Sequence, residues 1–128
     1  MAYHESTFNG DDVHNIKAAG DCCVGDRVAF ERATFTGSFR KPKFAGFQLV
    51  VGEIIADSYG REKQQHTFTL RLADGSTTRI KGRNLYANGV WRQPWADEAA
   101  RREVLAEKHA RGDAARAARE ERRAEFFA

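Results

Sequence analysis

The sequence predicts a mainly β domain with helical extensions. It divides into a capping segment over residues 1–21, a small five-stranded barrel over 22–95 and a charged helical tail over 96–128. Three observations carry this reading. Between Cys22 and Trp95, apolar residues recur at every second position, the period of a half-buried strand. The alternating runs are separated by Gly, Asp, Asn and Pro, which supply turn geometry. After Trp95 the composition changes abruptly to Ala, Arg, Glu and Lys, all good helix formers. If only about 75 residues are globular, the core is small, and a compact barrel suits that size.

Each element can be argued in order. Asn9-Gly10-Asp11-Asp12 offers turn and N-cap chemistry ahead of Val13 and Ile16, which predicts a short helix over about 11–19 ending at Gly20. His4 and His14 stand there without the four-ligand spacing of a structural zinc site. Cys22 and Cys23 are adjacent, and a disulfide between neighbours on a strand would be strained, so free thiols are expected. Residues 22–35, CCVGDRVAFERATF, alternate as a strand after a Gly25-Asp26 bend. Its phrase VGDRVAFE resembles the first strand of SH3-like and KOW-like small barrels. The resemblance is architectural, extends over about 22–95, and implies the fold and a habit of binding RNA, DNA or protein segments.

Residues 36–46, TGSFRKPKFAG, carry two Gly and a Pro and predict an irregular loop. Arg40, Lys41 and Lys43 lie there among Phe39, Phe44 and Phe47. Cations that track phosphates beside rings that stack on bases suit single-stranded nucleic acid, although these Phe could equally fold under the loop as a small satellite core. Residues 47–57 predict a long strand with a bulge or corner at Gly52, and 58–65 a polar turn that exposes Arg61 and Lys63.

Residues 66–82 predict a hairpin around Asp74-Gly75. A two-residue loop would turn Ile80 to solvent, whereas a three-residue loop over Asp74 to Ser76 pairs Leu70 with Ile80 inside, and the second register is expected. It places Arg71 opposite Arg79 and Thr69 opposite Lys81 on the outer face. Like charges directly across a strand pair repel by up to about 1 kcal/mol, a conflict that a bound anion or a nearby acid (Glu53 or Glu62) would relieve. Arg83 to Tyr86 predict a helical turn and Val90 to Arg92 a closing strand that Pro94 ends. Tyr86, Trp91 and Trp95 either close the core or form an aromatic floor beside Arg79, Lys81 and Arg83. The tail offers i,i+4 opposite-charge pairs such as Glu107–Arg111 and Arg116–Glu120. Gly112-Asp113 predicts a break in it, and its few apolar residues predict a solvated, protruding helix.

Charge is uneven. The net charge is +3 overall, while 22–95 holds twelve Lys and Arg against six acids and the tail balances eight against eight. A basic compact domain is the electrostatic footprint of a nucleic-acid binder. No phosphate-binding glycine loop, dinucleotide fingerprint, zinc pattern or acidic cluster is found, so neither catalysis, cofactor nor metal is expected. No membrane span and no signal peptide are legible, and the expectation is a cytoplasmic protein. The functional expectation is a non-enzymatic nucleic-acid-binding module, for RNA or DNA. Its site residues are Arg40, Lys41, Lys43, Arg71, Arg79, Lys81 and Arg83, with Phe39, Phe44 and Trp91 stacking. The alternative is a phage or mobile-element accessory or inhibitory protein that docks on a host protein through the barrel and helical tail.

Overall fold

Alternating β-branched and aromatic residues form six strands in a computed structural model that describes residues 7–59 and 66–127. The strands are β1 (Ile16–Ala18), β2 (Arg27–Gly37), β3 (Pro42–Tyr59), β4 (His66–Leu72), β5 (Thr77–Lys81) and β6 (Val90–Arg92). A four-residue helix α1 (Gly82–Leu85) joins β5 to β6, and α2 (Glu98–Phe127) follows. All strand pairs are antiparallel, in the spatial order β1-β6-β2-β3-β4-β5, and the sheet curls into a half-barrel. The inner face holds the core: Val28, Phe30, Val50, Ile54, Phe68, Leu70, Leu85 and Val90, with Ala18 and Cys22. Among the described residues no helix is long and apolar enough to cross a membrane.

Several expectations are corrected. The short N-terminal helix is absent. Asp11 accepts from the backbone of Val13 and His14 and makes a turn, and Ile16–Ala18 then pairs with β6, which raises the strand count from five to six. The irregular loop over 36–46 is two strands, because β2 runs to Gly37 and β3 begins at Pro42. Proline is tolerated there as a first strand residue. The ladder absorbs the extra residue as a bulge at Ala45, where Thr34 pairs with Gly46 and Phe35 with Phe44. A second bulge lies at Ile55, not at Gly52.

The β4–β5 register also differs. Phe68 pairs with Ile80 and Leu70 with Thr78. The loop has three residues, but they are Ala73, Asp74 and Gly75, closed by Leu72 N to Ser76 O at 2.8 Å and Gly75 N to Leu72 O at 3.0 Å. A three-residue hairpin loop needs its third residue in the left-handed region, and Gly75 has φ +85°. Shifting by two positions keeps Ile80 inside but separates the cations: Arg71 faces Thr77, Arg79 faces Thr69 and Lys81 faces Thr67.

The tail is not broken at Gly112. Helix α2 is continuous, and Gly112 lies where an added Cβ would come within 2.9 Å of the Tyr59 hydroxyl. The first half of the helix packs on the sheet through polar anchors rather than an apolar stripe. Asp97 caps it by accepting from Ala99 N at 3.0 Å, and Glu98 accepts from Trp95 N at 2.8 Å. Arg101 reaches Asp26 and Lys108 donates to the Cys22 carbonyl, while Arg111 spans Glu107 and Asp57. Arg116 pairs with Asp113 rather than Glu120. Both cysteines are free and buried; loss of hydration raises the Cys22 thiol to about 12 and Cys23 to about 11, so neither is a nucleophile at neutral pH.

Candidate nucleic-acid interface

The most exposed chemistry sits on the outer half of the β2–β3 hairpin. β6 pairs only with Val28 to Phe30 of β2, and β4 only from Gly52 onward in β3. Between them, among the described residues, 31–37 and 42–49 pair only with each other. A two-stranded ribbon therefore stands off the sheet, with Ser38 to Lys41 at its tip. Lys41 N donates to Ser38 O and Oγ, which closes the turn.

An isolated hairpin is marginal in water, and cross-strand aromatic pairs are what holds one. Phe35 and Phe44 meet edge to face at 6.1 Å, and Phe44 and Phe47 at 5.3 Å. Phe44 thus belongs to the ribbon's own packing. On the same face Leu49 and Val51 stay exposed, opposite Glu31 and Ala29. By register the other face carries Arg32, Thr34, Gln48 and Lys43; Arg32 donates to the Gln48 amide at 3.2 Å. Phe39 is fully exposed at the tip beside Arg40 and Lys41.

The second predicted cation set lies elsewhere. Arg71, Arg79 and Lys81 share the outer face of β4–β5 and are exposed. Across the ladder Arg71 faces Glu53, which lies 4.0 Å from Arg27 on its other side. Glu53 is therefore the acid placed to relieve that face, as the sequence allowed. Arg83 is exposed on α1. Lys43 and Glu53 are ten positions apart on β3, roughly 30 Å of strand at about 3.3 Å per residue. The tip and hairpin cations thus form two clusters on one sheet rather than one compact site.

Trp91 is only 8% exposed. Phe8 meets it edge to face at 5.5 Å, and the Lys17 ammonium lies 5.4 Å from its ring. Sequence reasoning missed Arg32 on the ribbon and the buried cations Arg101 and Lys108. The last two were legible in part, since their seven-residue spacing places them on one helix face with Val104 and Leu105. Arg61 and Lys63 lie outside the described residues. Among the described residues no His, Cys, Asp and Glu gather as a metal site.

No solved structure matches the chain. A protein of Oryza sativa subsp. japonica, zinc finger CCCH domain-containing protein 62, is 40% identical over 121 residues, covering 84% of this chain but 17% of that protein. The chain thus spans less than a fifth of the length of the relative it matches, and with two Cys it cannot itself supply the three that a CCCH set requires. The family model described as "Domain of unknown function (DUF7699)" matches residues 23–95, more than half of the chain, and the protein belongs to that family.

Proposed function

We propose that the chain is a non-enzymatic nucleic-acid-binding module, built on a small barrel of the SH3-like kind, that works in the cytoplasm. The observation that carries this reading is the ribbon. Among the described residues it pairs with no other strand, and it ends in a fully exposed Phe39 set among Arg40, Lys41 and Lys43. Cations on a free arm can follow a phosphate backbone while Phe39 stacks on an unpaired base, an interaction worth about 1–3 kcal/mol per base. Arg71, Arg79, Lys81 and Arg83 supply a second set of phosphate contacts for the same strand. The relative's name adds a context, since zinc fingers are among the modules that read nucleic acid. Nothing in that comparison supports a phage or inhibitory role.

A fluorescence anisotropy titration with single-stranded RNA, single-stranded DNA and duplex DNA at two salt concentrations tests this. Salt-dependent binding is expected. The variant R40Q/K41Q/K43Q should flatten the dependence of log K on log salt by about 2, as three lost single-strand contacts imply. Phe39→Ala should weaken binding without changing that slope. Binding that ignores salt, or that survives all four substitutions together with R71Q/R79Q, sinks the reading.

A protein-docking role is favoured by one observation, the exposed strip of Phe35 and Leu49 on the ribbon's apolar face, continued by Val51 on the sheet. Phe35→Ser would then abolish partner capture while leaving oligonucleotide binding intact.

A further inference from the structure

The crevice between the inner face of β3–β4 and the middle of α2 holds chemistry that the ribbon does not use. Its volume is about 340 Å3, and Tyr59, His66, Lys108, His109, Asp113 and Arg116 line it. Lys108 is the unusual group. It is 3% exposed. Its ammonium has three donors, yet among the described residues its one acceptor is the Cys22 carbonyl at 2.6 Å. Its other close neighbour is the Phe68 ring at 5.4 Å.

Loss of hydration pushes the Lys108 pKa down, the sign of a cation short of compensation. Of the nearby carboxylates, Asp57 is held through Oδ1 by Arg111 at 2.8 Å and Asp113 by Arg116 at 3.0 Å. A buried ammonium without a counter-ion is strongly unfavourable unless something else supplies acceptors.

A second observation points to the same place. Among the described residues His66 Nε2 and Asp57 Oδ2 are both buried without a hydrogen-bond partner, and they lie 3.6 Å apart. His66 is itself stacked on Tyr59 at 4.6 Å and held against Phe68 at 4.1 Å, so its ring cannot swing out to solvent. The crevice is thus lined by two cations, Lys108 and Arg116, against one lining carboxylate, Asp113. Several donors converging on one space suit an acceptor with several oxygens rather than a halide.

We propose that this crevice binds a phosphate group, with Lys108 at its floor and Arg116 at its rim. Two sources share that chemistry: free inorganic phosphate and the terminal phosphate of a nucleic-acid strand.

Calorimetry and amide NMR shifts on the full chain test the proposal. Inorganic phosphate is titrated against chloride of matched ionic strength, and a 5′-phosphorylated oligonucleotide against its 5′-hydroxyl counterpart. Saturable phosphate binding is expected, or tighter binding of the phosphorylated strand, and Arg116→Gln should weaken either by about tenfold. Lys108→Gln should do the same; because Lys108 also anchors α2, the exposed Arg116 variant carries the test if that protein fails to fold. Tighter binding of the phosphorylated strand identifies the strand end as the source. Equal binding of the two strands together with saturable inorganic phosphate identifies the free ion. Absence of both effects, or affinity unchanged by Arg116→Gln, overturns the proposal and leaves the crevice to water. Oligonucleotide binding through the ribbon can survive that outcome, so the two readings fail separately.

Discussion

Asp26 is fully buried and accepts from Cys23 N at 3.0 Å, Trp95 Nε1 at 2.7 Å, Arg101 Nε at 2.9 Å and Arg101 Nη2 at 2.9 Å. One carboxylate thereby ties the bend before β2, the segment after β6 and the first turns of α2. Asp26→Ala should cost about 3–5 kcal/mol, because it strands the buried Arg101 charge. Urea denaturation followed by circular dichroism would measure it, and a loss below about 1 kcal/mol would show that Asp21 alone suffices. Glu98 behaves differently. Hydrogen bonds from Arg92 and Trp95 N hold its carboxyl down at about 2, against an ordinary 4.5. A depressed carboxylate contributes stability above its unfolded pKa and loses it as the proton binds the folded form. That contribution should therefore fade from about pH 4.5 down to about 2. Glu98→Gln should flatten the melting-temperature profile in that window and leave its shape at neutral pH unchanged.

At the scale of elements, α2 divides into a half the fold needs and a half it does not. Its sheet anchors are Arg101, Lys108 and Arg111. Ending the chain after residue 116 should preserve cooperative unfolding, whereas ending it at 95 should abolish it; proton NMR dispersion of the two truncations decides. Gly75→Ala tests the hairpin loop: with nothing within 4 Å of the added Cβ, any loss comes from the backbone alone, about 1–2 kcal/mol.

These elements also mark what sequence could reveal. Alternation located Val28, Phe30, Phe68, Leu70 and Ile80 on the inner face, and the DG turn, the helical turn before β6 and the long terminal helix were legible. The register of β4–β5 was legible in principle, since only Gly75 can take the left-handed place in a three-residue loop. The ribbon was not, because Gly and Pro read locally as breakers while the bulge at Ala45 and the pairing that tolerate them are long-range. The anchoring of α2 was hidden for a related reason: Arg and Lys on a helix read as solvated until their buried partners, Asp26 and the Cys22 carbonyl, are known. Of the predicted cations, the types and exposure were legible but not their division into two clusters.

On the whole-molecule scale that division makes its own prediction. Sites more than about 7–10 Å apart that share no partner act additively. The free-energy losses of R40Q/K41Q/K43Q and R71Q/R79Q in oligonucleotide binding should therefore sum to within about 0.5 kcal/mol. A combined loss well above the sum would mean that the two clusters serve alternative strands, each covering for the loss of the other.

Among the described residues the spatial order of the sheet leaves β5 with one strand neighbour, so the backbone groups on its other side pair with no strand of the sheet. Such a border is a template on which a second chain can add. Arg79 and Lys81 sit on that strand, where a like charge on any incoming copy repels it. On the proposed reading, the two side chains that would meet a phosphate backbone would also repel an incoming strand of like charge. Neutralising both should make the protein self-associate on light scattering as well as weakening its hold on an oligonucleotide.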